Sequence, residues 1–138
     1  MFRILLIEDD LVDVYLFKTA LEQSMAKDAV AVEHVCDGLE AVLRVSRLDV
    51  MDKLPDVLVL DLNMPRFDGI SFLHSLRKSL LLQALPVFVL TTSTESDRHR
   101  EATSAGANRV YVKPDRLDAL AAITREIVDA SMALNSVH

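Results

Sequence analysis

Four short apolar runs, residues 4–7, 57–60, 87–90 and 110–112, recur along the chain, with a more mixed stretch at 30–36 between the first two. Such runs, without polar alternation, fit strands buried on both faces of a sheet. Between them apolar residues fall at helical spacing: Val14, Phe17 and Leu21, then Val42, Val45 and Leu48, then Phe72, Leu73 and Leu76. A last stretch carries Leu117, Leu120, Ile123, Ile127 and Leu134. Strand and helix alternating five times predict parallel strands joined by right-handed crossovers, with helices on both faces, which is a doubly wound α/β fold. Asp10 and Thr94 are placed to cap the first and fourth helices. The fourth helix has little apolar surface beyond Ala102 and Ala105, so its attachment is expected to be the weakest of the five.

Composition narrows the picture. A chain of 138 residues predicts one domain, with a core over about 2–128 and a short tail, and 51% apolar residues supply that core. Fifteen basic against 21 acidic residues leave a formal charge of −6, with no Lys or Arg run longer than two, which argues against a nucleic-acid partner. The single Cys36 excludes a disulfide framework and suits a reducing compartment. Glu8, Asp9 and Asp10 cut the apolar N-terminus too short for a secretory signal, and no apolar stretch reaches membrane-spanning length. A cytoplasmic protein without a membrane partner is the expectation.

In open α/β sheets ligands bind beyond the carboxyl ends of the strands, where the strand order reverses. There the first strand ends in Glu8-Asp9-Asp10, the third in Asp61-Leu-Asn-Met-Pro65, the fourth in Thr91-Thr-Ser93 and the fifth in Lys113-Pro114. Clustered carboxylates raise one another's pKa unless a cation joins them, and hard oxygen donors suit Mg²⁺. A metal, a lysine and a hydroxyl are what phosphoryl transfer needs, with Asp61 as the carboxylate nucleophile.

Taken together, Ile4-Leu-Leu-Ile-Glu-Asp-Asp10, Asp61-Leu-Asn-Met-Pro-Arg-Phe-Asp-Gly69, Val87-Phe-Val-Leu-Thr91 and Val112-Lys-Pro114 resemble the motifs of response-regulator receiver domains, in the family's order. The resemblance implies the flavodoxin-like strand order 2-1-3-4-5 and phosphorylation of Asp61 by a histidine kinase or phosphotransfer protein. It implies Mg²⁺ held by Asp9, Asp61 and the backbone carbonyl of Asn63, with Glu8 acting through metal-bound water. Thr91 would hydrogen-bond the phosphoryl group, Lys113 would pair with it, and the Lys113–Pro114 peptide bond is expected to be cis. The long stretch between Gly38 and Asp61 is similar to single-domain regulators paired with phytochrome-type kinases. The residues after Lys113 read as one helix and a tail, with no output domain, so signalling is expected to pass through protein contacts. Asn63 and Thr92 would flank the water that removes the phosphate.

Two positions depart from the family pattern. Val110 stands where an aromatic switch residue is usual, and alternation sends the neighbouring Tyr111 to the opposite face. Asp115 replaces the usual Phe after Lys-Pro. Several residues have plainer readings: Asp10 as a helix cap, Cys36 as a small buried hydrophobe, and His34, His74, His99 and His138 as solvated side chains. Ala121, Ile127, Met132 and Leu134 mark the fifth helix as the candidate homodimer face. Three other classes compete: a phosphorylation-independent scaffold, a phosphohydrolase similar in chemistry to the haloacid dehalogenases, and a flavin binder. The second needs a general acid where Asn63 stands. The third would set a flavin phosphate against the acidic cluster.

Overall fold

The computed structural model describes residues 1–26, 28–79 and 82–135. β1 (Phe2–Ile7), α1 (Leu11–Ser24), β2 (Val30–Val35), α2 (Gly38–Val50), β3 (Val57–Leu60), α3 (Gly69–Lys78), β4 (Val87–Thr91), α4 (Ser96–Ala105), β5 (Arg109–Val112) and α5 (Leu117–Asn135) alternate strictly. All strand pairings are parallel, in the order β2-β1-β3-β4-β5. The order reverses between β1 and β3, which opens a crevice at their carboxyl ends.

Strand alternation sorts the core into two layers. Ile4, Leu6, Val57, Val59, Phe88 and Leu90 pack with Val14, Phe17 and Leu21 of α1 and with Leu120, Ile127 and Val128 of α5. Leu5, Ile7, Leu58, Leu60, Val87 and Val89 pack on the other face against α2, α3 and the two alanines of α4. Each fully buried Leu, Ile or Phe contributes about 1.5–3 kcal/mol from leaving water. Val110 joins the second layer and Tyr111 the first, so the neighbours on β5 do point oppositely. On α2 the inward positions are Ala41, Val45 and Leu48, while Val42 is exposed.

Local chemistry fixes the helix starts and corrects several expectations. Asp10 caps α1 by accepting from Val12 N at 2.9 Å and Asp13 N at 3.4 Å. Thr94 does not cap α4: Glu95 holds that position without a side-chain bond, and His99 Nε2 meets Ser93 O at 2.7 Å instead. Cys36 lies one residue past the end of β2, where the strand ladder has closed, and is exposed rather than buried. Its Sγ donates to Glu40 Oε2 at 3.4 Å, which pushes the thiol pKa up and away from reactivity. His34 is half-buried with Nε2 2.9 Å from Glu8 O, so neither it nor His99 is simply solvated, whereas His74 is exposed. His138 lies outside the described residues.

The Lys113–Pro114 bond is trans, as is every peptide bond among the described residues. That is the lower-energy isomer, and in it Lys113 already reaches the crevice. Ile127 is fully buried under α1, leaving Met132 and Leu134 as the exposed members of the candidate dimer set. No described helix is long and apolar enough to cross a membrane.

Arg77, in the last turn of α3, ties the opposite end of the sheet together. Its guanidinium donates to the carbonyls of Leu82 (2.8 Å), Leu85 (2.6 Å) and Gly106 (2.8 Å). Gly106 follows α4 at φ 123°, and a Cβ there would lie 2.5 Å from Arg77 Cγ, so both backbone and side chain require glycine. Arg77→Met keeps the volume but strands carbonyls that the guanidinium satisfies. The expected cost is about 3 kcal/mol, read as a lower urea midpoint at unchanged slope; an unmoved midpoint would show that the clasp carries no net stability.

Candidate functional site

The strand ladders run one step beyond the strands and set three backbones at the crevice. Glu8 N donates to Val35 O at 3.1 Å, Asp61 N to Ile7 O at 3.2 Å and Lys113 N to Thr91 O at 2.7 Å. Since both faces of the sheet are filled by apolar side chains, the first polar residue after each strand can only sit at this rim. Glu8, Asp61 and Thr91 are nevertheless buried, at 3%, 7% and 0% exposure, while Asp9 is exposed. Carboxylate oxygens of Glu8, Asp9 and Asp61 lie within 4.8 Å of one another.

Lys113 closes the cluster. Its Nζ donates to Glu8 Oε1, to Asp13 Oδ2 at 2.8 Å and to Asp61 Oδ2 at 3.1 Å. A cleft of about 40 Å³ lies against it, lined in part by Leu6, Phe17, Val59 and Leu90, so the lysine stem rests on apolar surface with its charged end at the rim. Burial, together with the Asp61 carboxylate beside it, pushes Glu8 up to about 8 despite the Lys113 ammonium. Burial works against the Lys113 charge, but the bonds to Asp13 and Glu8 and the charge on Asp61 hold its pKa above the ordinary lysine value.

Asn63 links the two loops that carry the nucleophile candidate and the hydroxyl. Its N–H donates to Asp61 Oδ1 at 3.0 Å, and its side-chain Nδ2 donates to Thr91 Oγ1 at 3.1 Å and Thr92 Oγ1 at 3.0 Å. Thr91 Oγ1 also accepts from Ser93 N at 3.2 Å. Glu8, Asp9, Asp61, Asn63, Thr91 and Lys113 therefore converge, and Asp10 stays outside the cluster as a cap. Sequence reasoning missed Asp13. It sits in the first turn of α1, and because α1 begins at the rim, a first-turn acid beside the buried Val14 was a usable signal.

A family model described as the response regulator receiver domain matches residues 4–125. The probable methanogenesis regulatory protein FilR2 of Methanothrix harundinacea (strain 6Ac) is 35% identical over 136 residues, covering 97% of this chain and 86% of that protein. The response regulator MprA of Mycobacterium leprae (strain TN) is 34% identical over 126 residues, covering 91% of this chain but only 50% of its own length. Among solved structures, the phosphorylated cyanobacterial phytochrome response regulator RcpA superposes with a TM-score of 0.82 at 29% identity, covering 94% of this chain and 93% of that one. The five-stranded order, the acidic rim and a family match over most of the chain agree: this chain belongs to the response regulator receiver domains of two-component signalling.

Proposed function

We propose that Asp61 accepts a phosphoryl group from a histidine kinase or phosphotransfer protein in a Mg²⁺-dependent reaction, and that the protein signals through contacts that depend on its phosphorylation. One observation carries this reading: a buried carboxylate bonded to Lys113, with two further carboxylates within 4.8 Å, at the mouth of the crevice. This all-oxygen donor set fits Mg²⁺, which takes one or two carboxylates and keeps positions for water and phosphate. Asp9, Asp61 and the backbone carbonyl of Asn63 would hold the ion, with Glu8 acting through bound water. When bound, it supplies positive charge opposite the oxygens of the transferring group.

The chain's own residues account for the rest. An Asp61 carboxylate oxygen attacks phosphorus; the new O–P bond forms as the donor's bond to phosphorus breaks, and the donor keeps the electron pair. The Asn63 N–H on Oδ1 fixes the carboxylate plane. Lys113 is close enough to pair with a phosphoryl oxygen carried on Asp61. Thr91 accepts two hydrogen bonds at its hydroxyl and keeps its own proton to donate. Asn63 and Thr92 flank the path of the water that later removes the phosphate. The Asn63 amide donates to both threonines and is neither acidic nor basic enough to serve as a general acid or base, which weighs against the phosphohydrolase reading. Likeness to RcpA, a phytochrome response regulator, supports a phytochrome-type kinase as donor. A cytoplasmic site of action belongs to the same reading.

Incubated with an acyl phosphate and Mg²⁺, the wild type is expected to gain the mass of one phosphoryl group, and Asp61→Asn or a chelator to prevent it. A wild type that stays unmodified would overturn the reading in favour of a phosphorylation-independent scaffold. Glu8 gives a second test. Unfolded, it ionises near the ordinary glutamate value of 4.5, whereas folded and metal-free it keeps its proton to about 8. The unfolded state thus binds fewer protons between those values, and stability falls as pH rises through that window. In chelator, the wild type is expected to lose on the order of a few kcal/mol relative to Glu8→Gln between pH 4.5 and 8, measured by urea unfolding. Excess Mg²⁺ is expected to remove most of that loss; an identical loss with and without Mg²⁺ would count against metal binding at this cluster.

A further inference from the structure

Lys113 has three carboxylate partners, and the proposed chemistry uses only Glu8 and Asp61. The third, Asp13, comes from α1 rather than from a strand end, and its Oδ2 lies 2.8 Å from Nζ, closer than the 3.1 Å to Asp61. An ammonium has three donors, and here each has a carboxylate partner. The apolar lining under the lysine stem gives the charge nowhere else to settle. For Lys113 to engage a phosphoryl group on Asp61, one of these bonds must be given up.

Exposure decides which. The side chains of Glu8 and Asp61 are 4% and 8% exposed, whereas that of Asp13 is 31% exposed. Asp13 exchanges an ammonium for water at the least cost, while the buried oxygens of Glu8 and Asp61 would lose a hydrogen-bond donor that water cannot readily replace. A contact made only in the resting state biases the equilibrium against the phosphorylated one.

We propose that Asp13 is a positioning residue that holds Lys113 toward α1 while Asp61 is unmodified and yields it when Asp61 carries a phosphoryl group. The Lys113–Asp13 bond joins the end of β5 to the first turn of α1, so its release also uncouples those two elements. This inference rests on the phosphoacceptor reading of Asp61. Its rival is structural: an acidic residue in the first turn of α1 is favourable to the helix without any role for Lys113.

Beryllofluoride with Mg²⁺ serves as the probe, a stand-in for the phosphoryl group on an aspartate, with the bound fraction read by fluorine NMR. Asp13→Asn is expected to tighten its binding by about two- to fivefold, the worth of a partly exposed ion pair. Asp13→Glu should bind as wild type does, and Asp13→Asn should have no effect in a Lys113→Met background. A purely structural acid would lower the urea midpoint without tightening binding. Unchanged or weaker binding by Asp13→Asn, or the same gain without Lys113, overturns the inference and leaves the Asp61 reading intact. A wild type that neither binds beryllofluoride nor takes up phosphate overturns that reading and this inference with it.

Discussion

One ammonium sits among carboxylates that the sheet leaves nowhere else to go. β3 and β4 are buried along their whole lengths and β1 is buried except at Arg3, so the polar residues that end the strands collect at one rim. There Glu8 and Asp61 are too buried to be solvated as ions, and Lys113 is the group bonded to both. Without it, burial and the neighbouring Asp61 charge would push Glu8 still further toward its neutral form. A cluster that stays partly unsatisfied in charge is suited to a divalent ion and to a transferred group that carries negative oxygens. It is costly to the fold for the same reason.

The scaffold offsets that cost away from the rim. Two apolar layers clamp the sheet, and at its far end Arg77 gathers the carbonyls of Leu82, Leu85 and Gly106. The guanidinium there is half-buried and bonded to carbonyls rather than to a carboxylate, so burial lowers its pKa. It acts as a multidentate donor that closes turns which could not close their own hydrogen bonds. The two poles of the molecule thus use cations differently: one fastens backbone, and the other holds side chains that can exchange partners.

How much of this was legible in the sequence depended on whether a residue's role was local. Unbroken apolar runs at 57–60 and 87–90 read as doubly buried strands, and β3 and β4 stand there. Their polar ends, Asp61 and Thr91, followed from fold class alone, because all parallel strands open on one edge. Asp13 was hidden because the same residue satisfies a helix-start pattern, and only the tertiary approach of β5 brings Lys113 to it. Cys36 was misjudged by one residue, since β2 ends at Val35 and the next side chain faces solvent beside Glu40. Ile127 looked spare only because the register of α5 on α1 cannot be read from spacing. The isomer before Pro114 had no signal in the chain at all; the expectation came from resemblance.

The attachment of α4 follows from the same division between ends. Only Ala102 and Ala105 of this helix are buried, both in its second half. Its C-terminal end is fixed by Gly106, whose carbonyl takes two bonds from Arg77. At the other end Glu95 supplies no side-chain cap, and the first turn is held through His99 to Ser93 O. Ser93 in turn donates its N–H to Thr91 Oγ1, and Asn63 donates to the same oxygen. Under the proposed function, a Thr91 hydroxyl drawn toward a phosphoryl group would disturb the bonds it accepts from Asn63 and Ser93. The next link is the weakly capped start of α4, while its clasped end stays in place. With Val110 in place of an aromatic residue on β5, this hydrogen-bonded path needs no ring to swing, and it runs entirely through residues present in the chain.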